Sequence, residues 1–336
     1  MNEVKLMSRL RCPLILDSKD FSYSLVDYRN SRFTSQNPDK IIDFYDSFKN
    51  RDDLIEWMKE RPKGVANIYE VDGDNEITVV VPTADFNGKY AKECRENIFK
   101  GLRMIFVESG GREDFYFNFA HNCNIGVKKA LEYEPEWIVV SNDDMQLVDS
   151  VEDLKNALLK IDKMVDVIFC LPTAKYHSTY AIISNRTARR NTFLTFSGKL
   201  DRKRLELEKK FSVQYIVGSN LFPYRLFYSR RYKLRYTGSF GIFSASFVMA
   251  HLDGIFDETY INGAEDIDLS WRLIHSDATY GFINYRIKDI IGGTIGSYSS
   301  TRKMRGLVND CYLNHKIEKG ELKLNLSSTH YITTDL

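Results

Sequence analysis

From residue 77 onward, short continuous apolar runs alternate with longer segments whose apolar residues fall at helical spacing. Ile77-Thr-Val-Val-Val81 is a β-branched run ended by Pro82, the pattern of a strand buried on both faces. Lys89–Leu102 predicts a helix, and Met104–Val107 a second strand closed by Ser109-Gly110-Gly111. Asn122–Glu132 then predicts a helix and Trp137–Val140 a third strand, and helix Val151–Ile161 and strand Val165–Cys170 complete the series. Strands alternating with helices in this way predict an α/β fold of Rossmann-like type, a mainly parallel sheet with helices on both faces. In such a sheet ligands bind beyond the carboxyl ends of the strands.

The flanks read differently. Residues 1 to 75 are polar and aromatic, with Ile41, Ile42, Tyr45, Phe48, Leu54, Ile55 and Trp57 at roughly helical spacing, and predict a mainly helical packing extension closed by Asp72-Gly73-Asp74-Asn75. A body over 76–300 and a tail over 301–336, read as a helix followed by a strand-like Leu322–Leu326, complete the division. Of the 336 residues 43% are hydrophobic, and 44 are Tyr, Phe or Trp, which excludes disorder as the dominant state. No run reaches the length of a membrane-spanning helix, and MNEVKLMSRLRC predicts no secretory leader. The five scattered cysteines include no Cys-x-x-Cys pair, so thiols in a reducing, cytoplasmic setting are expected.

Chemistry collects where the strands are expected to end. The first supplies Pro82-Thr83-Ala84-Asp85, the second Glu108-Ser109, and the third Asn142-Asp143-Asp144. Two adjacent carboxylates repel unless a cation or protein donors offset them, and a hard divalent ion commonly bridges a carboxylate to substrate phosphates. Capping of the following turn is the other reading of the same pair. Downstream, Gly263-Ala264-Glu265-Asp266-Ile267-Asp268 opens a helix with three acids in four residues, more than capping requires, and Asp268 and Arg272 stand one turn apart for an ion pair.

Together these stretches resemble the family 2 glycosyltransferases, inverting enzymes of GT-A fold that use nucleotide-sugars. The resemblance is carried by Ile77–Pro82, Met104–Gly110, FAHNCNIG (Phe119–Gly126), WIVVSNDDM (Trp137–Met145) and GIFDETYINGAEDIDLSWRL (Gly254–Leu273), and covers about residues 76–295 with one interruption. It implies that Pro82, Thr83, Asp85, Glu108, Ser109, Asn124, Asn142 and Asp143 line the nucleotide-diphosphate site. Glu108 stands where the family has a base-reading Asp. Asn142-Asp143-Asp144 corresponds to the metal and diphosphate motif, with Asp144 as the direct ligand of Mn²⁺ or Mg²⁺. Asp289 lies where the family has a late metal-binding His, and would favour an all-oxygen shell. Asp266 corresponds to the catalytic base, with Glu265 beside it. The implied reaction moves a sugar from a nucleotide-sugar to an acceptor hydroxyl on a glycan, a protein or a lipid-linked molecule. A nucleotidyltransferase would want a Gly-rich basic loop after the first strand, which ADFNGKY resembles poorly; a non-catalytic anion- or glycan-binding protein on the same scaffold is the other alternative.

Charge changes the picture once it is localised. The 47 bases and 46 acids leave a net +1, yet residues 186–235 hold 14 bases against Asp201, Glu206 and Glu208. That segment carries +11, and the remainder −10. Phe222, Phe227 and tyrosines at every fourth position from Tyr224 to Tyr236 accompany it, with Pro223 as a helix start. A basic, aromatic insert over 181–236 fits the acceptor side, a phosphate-bearing or lipid-linked acceptor, or peripheral contact with an anionic inner membrane face. A solvated charged face over a Tyr/Phe core fits it equally, and nothing beyond charge points to nucleic acid.

Overall fold

A computed structural model describes residues 18–109, 116–170, 180–184, 199–213, 232–236, 239–290 and 300–322. It begins with three helices, α1 (Ser18–Phe33), α2 (Pro38–Asp46) and α3 (Arg51–Glu60). The helical pattern over 40–60 is divided because Asn37 and Asn50 each cap a helix start, their side chains accepting Asp39 N and Asp53 N at 2.9 Å. Next come β1 (Asn67–Val71), β2 (Asp74–Thr83) and α4 (Lys89–Glu93), which runs on as a π turn over Cys94–Ile98. β3 (Leu102–Glu108), α5 (Phe119–Ala130), β4 (Trp137–Ser141), β5 (Met145–Leu147), α6 (Val151–Leu158) and β6 (Val167–Cys170) follow. After β7 (Tyr180–Ser184), α7 (Lys199–Lys210) and β8 (Tyr232–Tyr236) the chain forms β9 (Phe240–Ser244), α8 (Ala245–Ala250) and α9 (Glu265–Ile274). The last described elements are β10 (Tyr280–Ile283), β11 (Ile287–Asp289), α10 (Ser300–Arg305) and α11 (Leu307–Glu318).

The fold is mixed α/β around a seven-stranded sheet in the order β1-β3-β2-β4-β9-β6-β10. β3, β2, β4, β6 and β10 run one way; β1 and β9 run the other. Five of the seven strands thus share one direction, as a mainly parallel sheet requires, and the chain path explains why β9 opposes them. The stretch after β6 departs from the carboxyl end of the sheet and rejoins it at that same end, where Ser141 pairs with Phe240, so β9 must run back down. Residues 67–71 depart from expectation: β1 is an edge strand on β3, not part of a helical extension. Pro82 lies inside β2, paired with Val107, because the ladder to β4 has already ended at Val80. Two small antiparallel pairs, β5 with β11 and β7 with β8, stand outside the main sheet.

Strand alternation divides the core in two. Val79, Val81, Phe106 and Val139 face α4 and α6, packing with Cys94, Ile98, Leu154 and Leu158. Val80, Ile105, Val107 and Val140 face α5, α8 and α9, packing with Cys123, Val127, Phe247 and Leu269. A third cluster joins the two ends of the chain: Phe33, Phe44, Tyr45, Phe48 and Trp57 pack with Leu207 and Phe211 of the α7 region and with Leu307, Val308 and Cys311 of α11. The amino-terminal helices and the tail are therefore one structural unit, with the basic helix α7 wedged between them. Cys94, Cys123, Cys170 and Cys311 are buried thiols in no disulfide among the described residues. Among the described residues no helix is long and apolar enough to cross a membrane. Pro223, Tyr224, Tyr228 and the strand-like stretch beyond Leu322 lie outside the described residues.

Candidate active site

Chain order reverses at β2. β3 lies on one side of it and β4 on the other, so their carboxyl ends form a topological switch point, the place where ligands bind in open α/β sheets. Thr83 and Glu108 are register neighbours there, and the Val80–Val140 pair brings Ser141–Asp144 out beside Val81–Thr83. Pro82, Thr83, Asp85, Glu108, Ser109, Asn142, Asp143 and Asp144 thus share one end of the sheet.

Protein donors hold part of this charge. The buried Asp143 accepts the Thr83 hydroxyl proton at 2.7 Å, and Thr83 Oγ1 in turn accepts Asp85 N at 3.3 Å. The Cys94 thiol donates to the Asp143 carbonyl at 3.3 Å, and is pushed up by burial and then by the carboxylates of Asp143 and Asp144. Asp144 is buried, and its carbonyl accepts Ile290 N at 2.9 Å; Asn142 N donates to Ser239 O at 2.9 Å. Glu108 has a different employment from the one expected of a base reader. Its Oε2 accepts Phe86 N at 2.7 Å, holding the loop after β2, while Tyr69 stacks on Phe86 with centroids 4.3 Å apart.

α5 connects this end of the sheet to the acidic helix. Gly126 lets it lie close, since a Cβ there would stand 2.2 Å from Val80 Cγ1. Asn122 then reaches Ser109, Nδ2 to Oγ at 2.6 Å, and the Cys123 thiol is raised by burial and then by the field of Glu265. Asn124 was expected at the nucleotide, but its amide is engaged on the loop before the acidic helix. Phe256 N donates to Oδ1 at 3.1 Å, and Nδ2 donates to Phe256 O at 2.8 Å and Glu258 Oε1 at 3.0 Å. Gly254, at φ 124°, is needed beside it: a Cβ would stand 2.6 Å from Asn124 Nδ2.

α9 begins after a left-handed turn, with Asn262 at φ 52° and Ala264 at φ 71°. Its first acids are not equivalent. Glu265 is buried, its Oε2 has no hydrogen-bond partner among the described residues, and its carboxyl is pushed up to about 8 by burial and then by Asp266. Asp266 is half-buried, and its Oδ1 accepts Ile267 N at 2.9 Å. Asp268, fully buried, forms the expected pair with Arg272 at 2.7 Å, and also accepts Lys316 Nζ at 2.5 Å and Tyr260 OH at 3.1 Å. A cavity of about 510 Å³ opens on this loop, lined among others by Lys63, Asp257, Glu258, Arg272 and Lys316.

Asp289 pairs with Met145 across β11 and β5, one residue from Asp144. Its side chain lies outside the described residues, and among those described no group of three or more His, Cys, Asp or Glu could hold a metal ion. A cation here would draw on Asp144 and on oxygens of its ligand, a set suited to Mg²⁺ or Mn²⁺. In the basic segment, Arg204 pairs with Glu208 at 2.9 Å and Asp310 at 2.5 Å, Lys203 lies 3.7 Å from Asp46, and Lys210 donates to Tyr45 O at 3.1 Å. Part of the +11 is therefore structural, while Arg202 and Lys209 remain exposed. Sequence reasoning missed Cys94, Asn122, Asn309, Tyr312 and Lys316. The last three had a signal, polar groups at i, i+3 and i+7 of one helix. Compared with known proteins, the chain matches no protein-family model, and no curated protein is significantly similar to it in sequence.

Proposed function

We propose that this protein is a metal-dependent inverting glycosyltransferase of GT-A architecture, moving a sugar from a nucleotide-sugar to an acceptor hydroxyl. The observation that carries the reading is the topological switch point at β2, edged by Thr83, Asn142, Asp143 and Asp144 and linked through α5 to a second acidic turn at Glu265–Asp266. Thr83, Asp85, Ser109 and Asn142 bind the nucleotide-diphosphate side. Asp144, with Asp289 next to its strand, would hold Mn²⁺ or Mg²⁺, which when bound offsets the charge growing on the departing diphosphate.

An acceptor hydroxyl is a poor nucleophile near neutrality, so a carboxylate must take its proton as it attacks. Glu265 retains its own proton near neutral pH and is unsuited to that task. Asp266, half-buried beside it, takes the proton while the hydroxyl attacks the anomeric carbon opposite the leaving group, and the configuration inverts in one displacement. The segment between β6 and β9 leaves and rejoins the sheet at this end, which supports it as the acceptor side; contact with an anionic membrane through 186–236, at the cytoplasmic face, belongs to the same reading.

The test is a thermal-shift screen of nucleotide-sugars with and without Mn²⁺, followed by transfer assays. A donor at a hundredfold excess over Kd stabilises by about 2.7 kcal/mol. Asp266→Asn should keep the donor-induced shift and lose transfer by about 10²-fold or more. Near-normal transfer by that variant, or no Mn²⁺-dependent shift with any nucleotide-sugar, would defeat the proposal.

A further inference from the structure

The tail helix α11 has a stripe of polar residues where an apolar one would suffice. Asn309, Tyr312 and Lys316 stand at i, i+3 and i+7, on one face of the helix, and all three are buried. All three address the loop from Asp257 to Asp268. Asn309 grips the backbone of Ile261 from both sides, accepting its N–H at 2.9 Å and donating to its carbonyl at 2.9 Å. Tyr312 donates to Asp257 Oδ2 at 3.0 Å, and its ring meets Tyr260 edge-on at 4.9 Å. Lys316 bridges the two ends of the loop, 2.9 Å from Asp257 and 2.5 Å from Asp268.

The charges of this cluster balance, Asp257 and Asp268 against Arg272 and Lys316. Burial would push the Asp257 carboxyl up, but the Lys316 ammonium and the Thr259 amide bring it below its ordinary value. One helix thus pins the loop at its beginning, middle and end. Between the last two pins lie the left-handed residues Asn262 and Ala264, followed by Glu265 and Asp266.

We propose that α11 is a positioning element: the stripe Asn309, Tyr312, Lys316 sets where the Asp266 carboxylate stands, acting through Asp257, Ile261 and Asp268. The inference rests on Asp266 as the base. It gives the tail an indirect part in turnover.

The test compares full-length wild type with Lys316→Met, Lys316→Arg and Leu154→Ala, the last a core truncation in α6 that controls for lost stability alone. Two readouts are taken: amide hydrogen exchange over residues 260–268, and kcat and KM for nucleotide-sugar turnover with Mn²⁺. Lys316→Met should speed exchange over 260–268 but not in β2 or β4. It should also lower kcat by about tenfold or more while donor KM changes less than about threefold, because displacement of a reacting group costs rate rather than binding. Lys316→Arg should recover most of both. Unchanged exchange in Lys316→Met, an equal kcat loss in Leu154→Ala, or no recovery with arginine would each overturn the proposal. Should wild type turn over no nucleotide-sugar, the catalytic reading falls, and the exchange arm still decides whether α11 holds the loop. If Lys316→Met does not fold, Asn309→Ala removes two backbone bonds without altering charge and carries the same comparison.

Discussion

Replacing Glu265 with glutamine should change the pH dependence of stability, and the sign follows from its burial. The carboxyl has an ordinary value of 4.5 and is pushed up to about 8 in the folded chain. Between those values the unfolded chain has released the proton while the folded chain keeps it. This one group therefore removes about 1.4 kcal/mol of stability for each pH unit climbed, on the order of 5 kcal/mol across the window. Its contribution is fully present below pH 4.5 and lost as pH rises through 8. Glu265→Gln abolishes that slope but places an amide where Oε2 now has no partner, at a cost of about 1–3 kcal/mol at every pH. The variant should thus be less stable than wild type at pH 5 and more stable at pH 8, with the curves crossing between. Urea unfolding followed by circular dichroism at four pH values measures it; groups common to both proteins cancel in the difference, apart from Asp266, whose ionisation is linked to that of Glu265. Two parallel curves from pH 5 to 8 would refute both the burial argument and the assignment of the proton to Glu265.

Two further variants probe the scaffold. Gly126→Ala gains about 1 kcal/mol of helix propensity but forces a methyl into Val80, 2.2 Å away, at about 1–3 kcal/mol. The net effect should be lower thermal stability together with weakened donor binding, as α5 lifts off β2; unchanged melting would show that the helix has room to move. Arg204→Met removes the buried cation that pairs with both Glu208 and Asp310 and should cost about 3 kcal/mol or more in chemical denaturation, whereas Arg202→Met on the exposed face should cost less than about 0.5 kcal/mol.

The strands were legible because burial on both faces writes a continuous β-branched run, as in Ile77–Val81 and Trp137–Val140, and no helix face produces that pattern so briefly. The polar strand ends followed from the same runs, since a chain leaving a parallel ladder carries its chemistry there. β9 was not read as a strand, and its direction is illegible in any case: Phe240–Ser244 reads alike in either orientation, and only the return path of the preceding segment decides it. Glu108 illustrates a second limit. Its position at a strand end is set locally, but its engagement with Phe86 N depends on a loop turning back, which no spacing announces. Lys316 is separated from Asp257 by 59 residues, and pairings of that kind emerge only from tertiary packing.

The reversed strand β9 has a consequence for how such a protein diversifies. Because departure from β6 and return into β9 are neighbours in one ladder, whatever chain spans them closes a gap only one strand spacing wide. Closure entropy grows slowly with length, by about 0.6 kcal/mol per doubling. The spanning stretch can therefore be lengthened, shortened or exchanged for an unrelated one at little thermodynamic penalty, while the floor beneath it keeps its register. The architecture behaves as a socket accepting interchangeable modules, each replaceable without re-optimisation of the sheet that carries it.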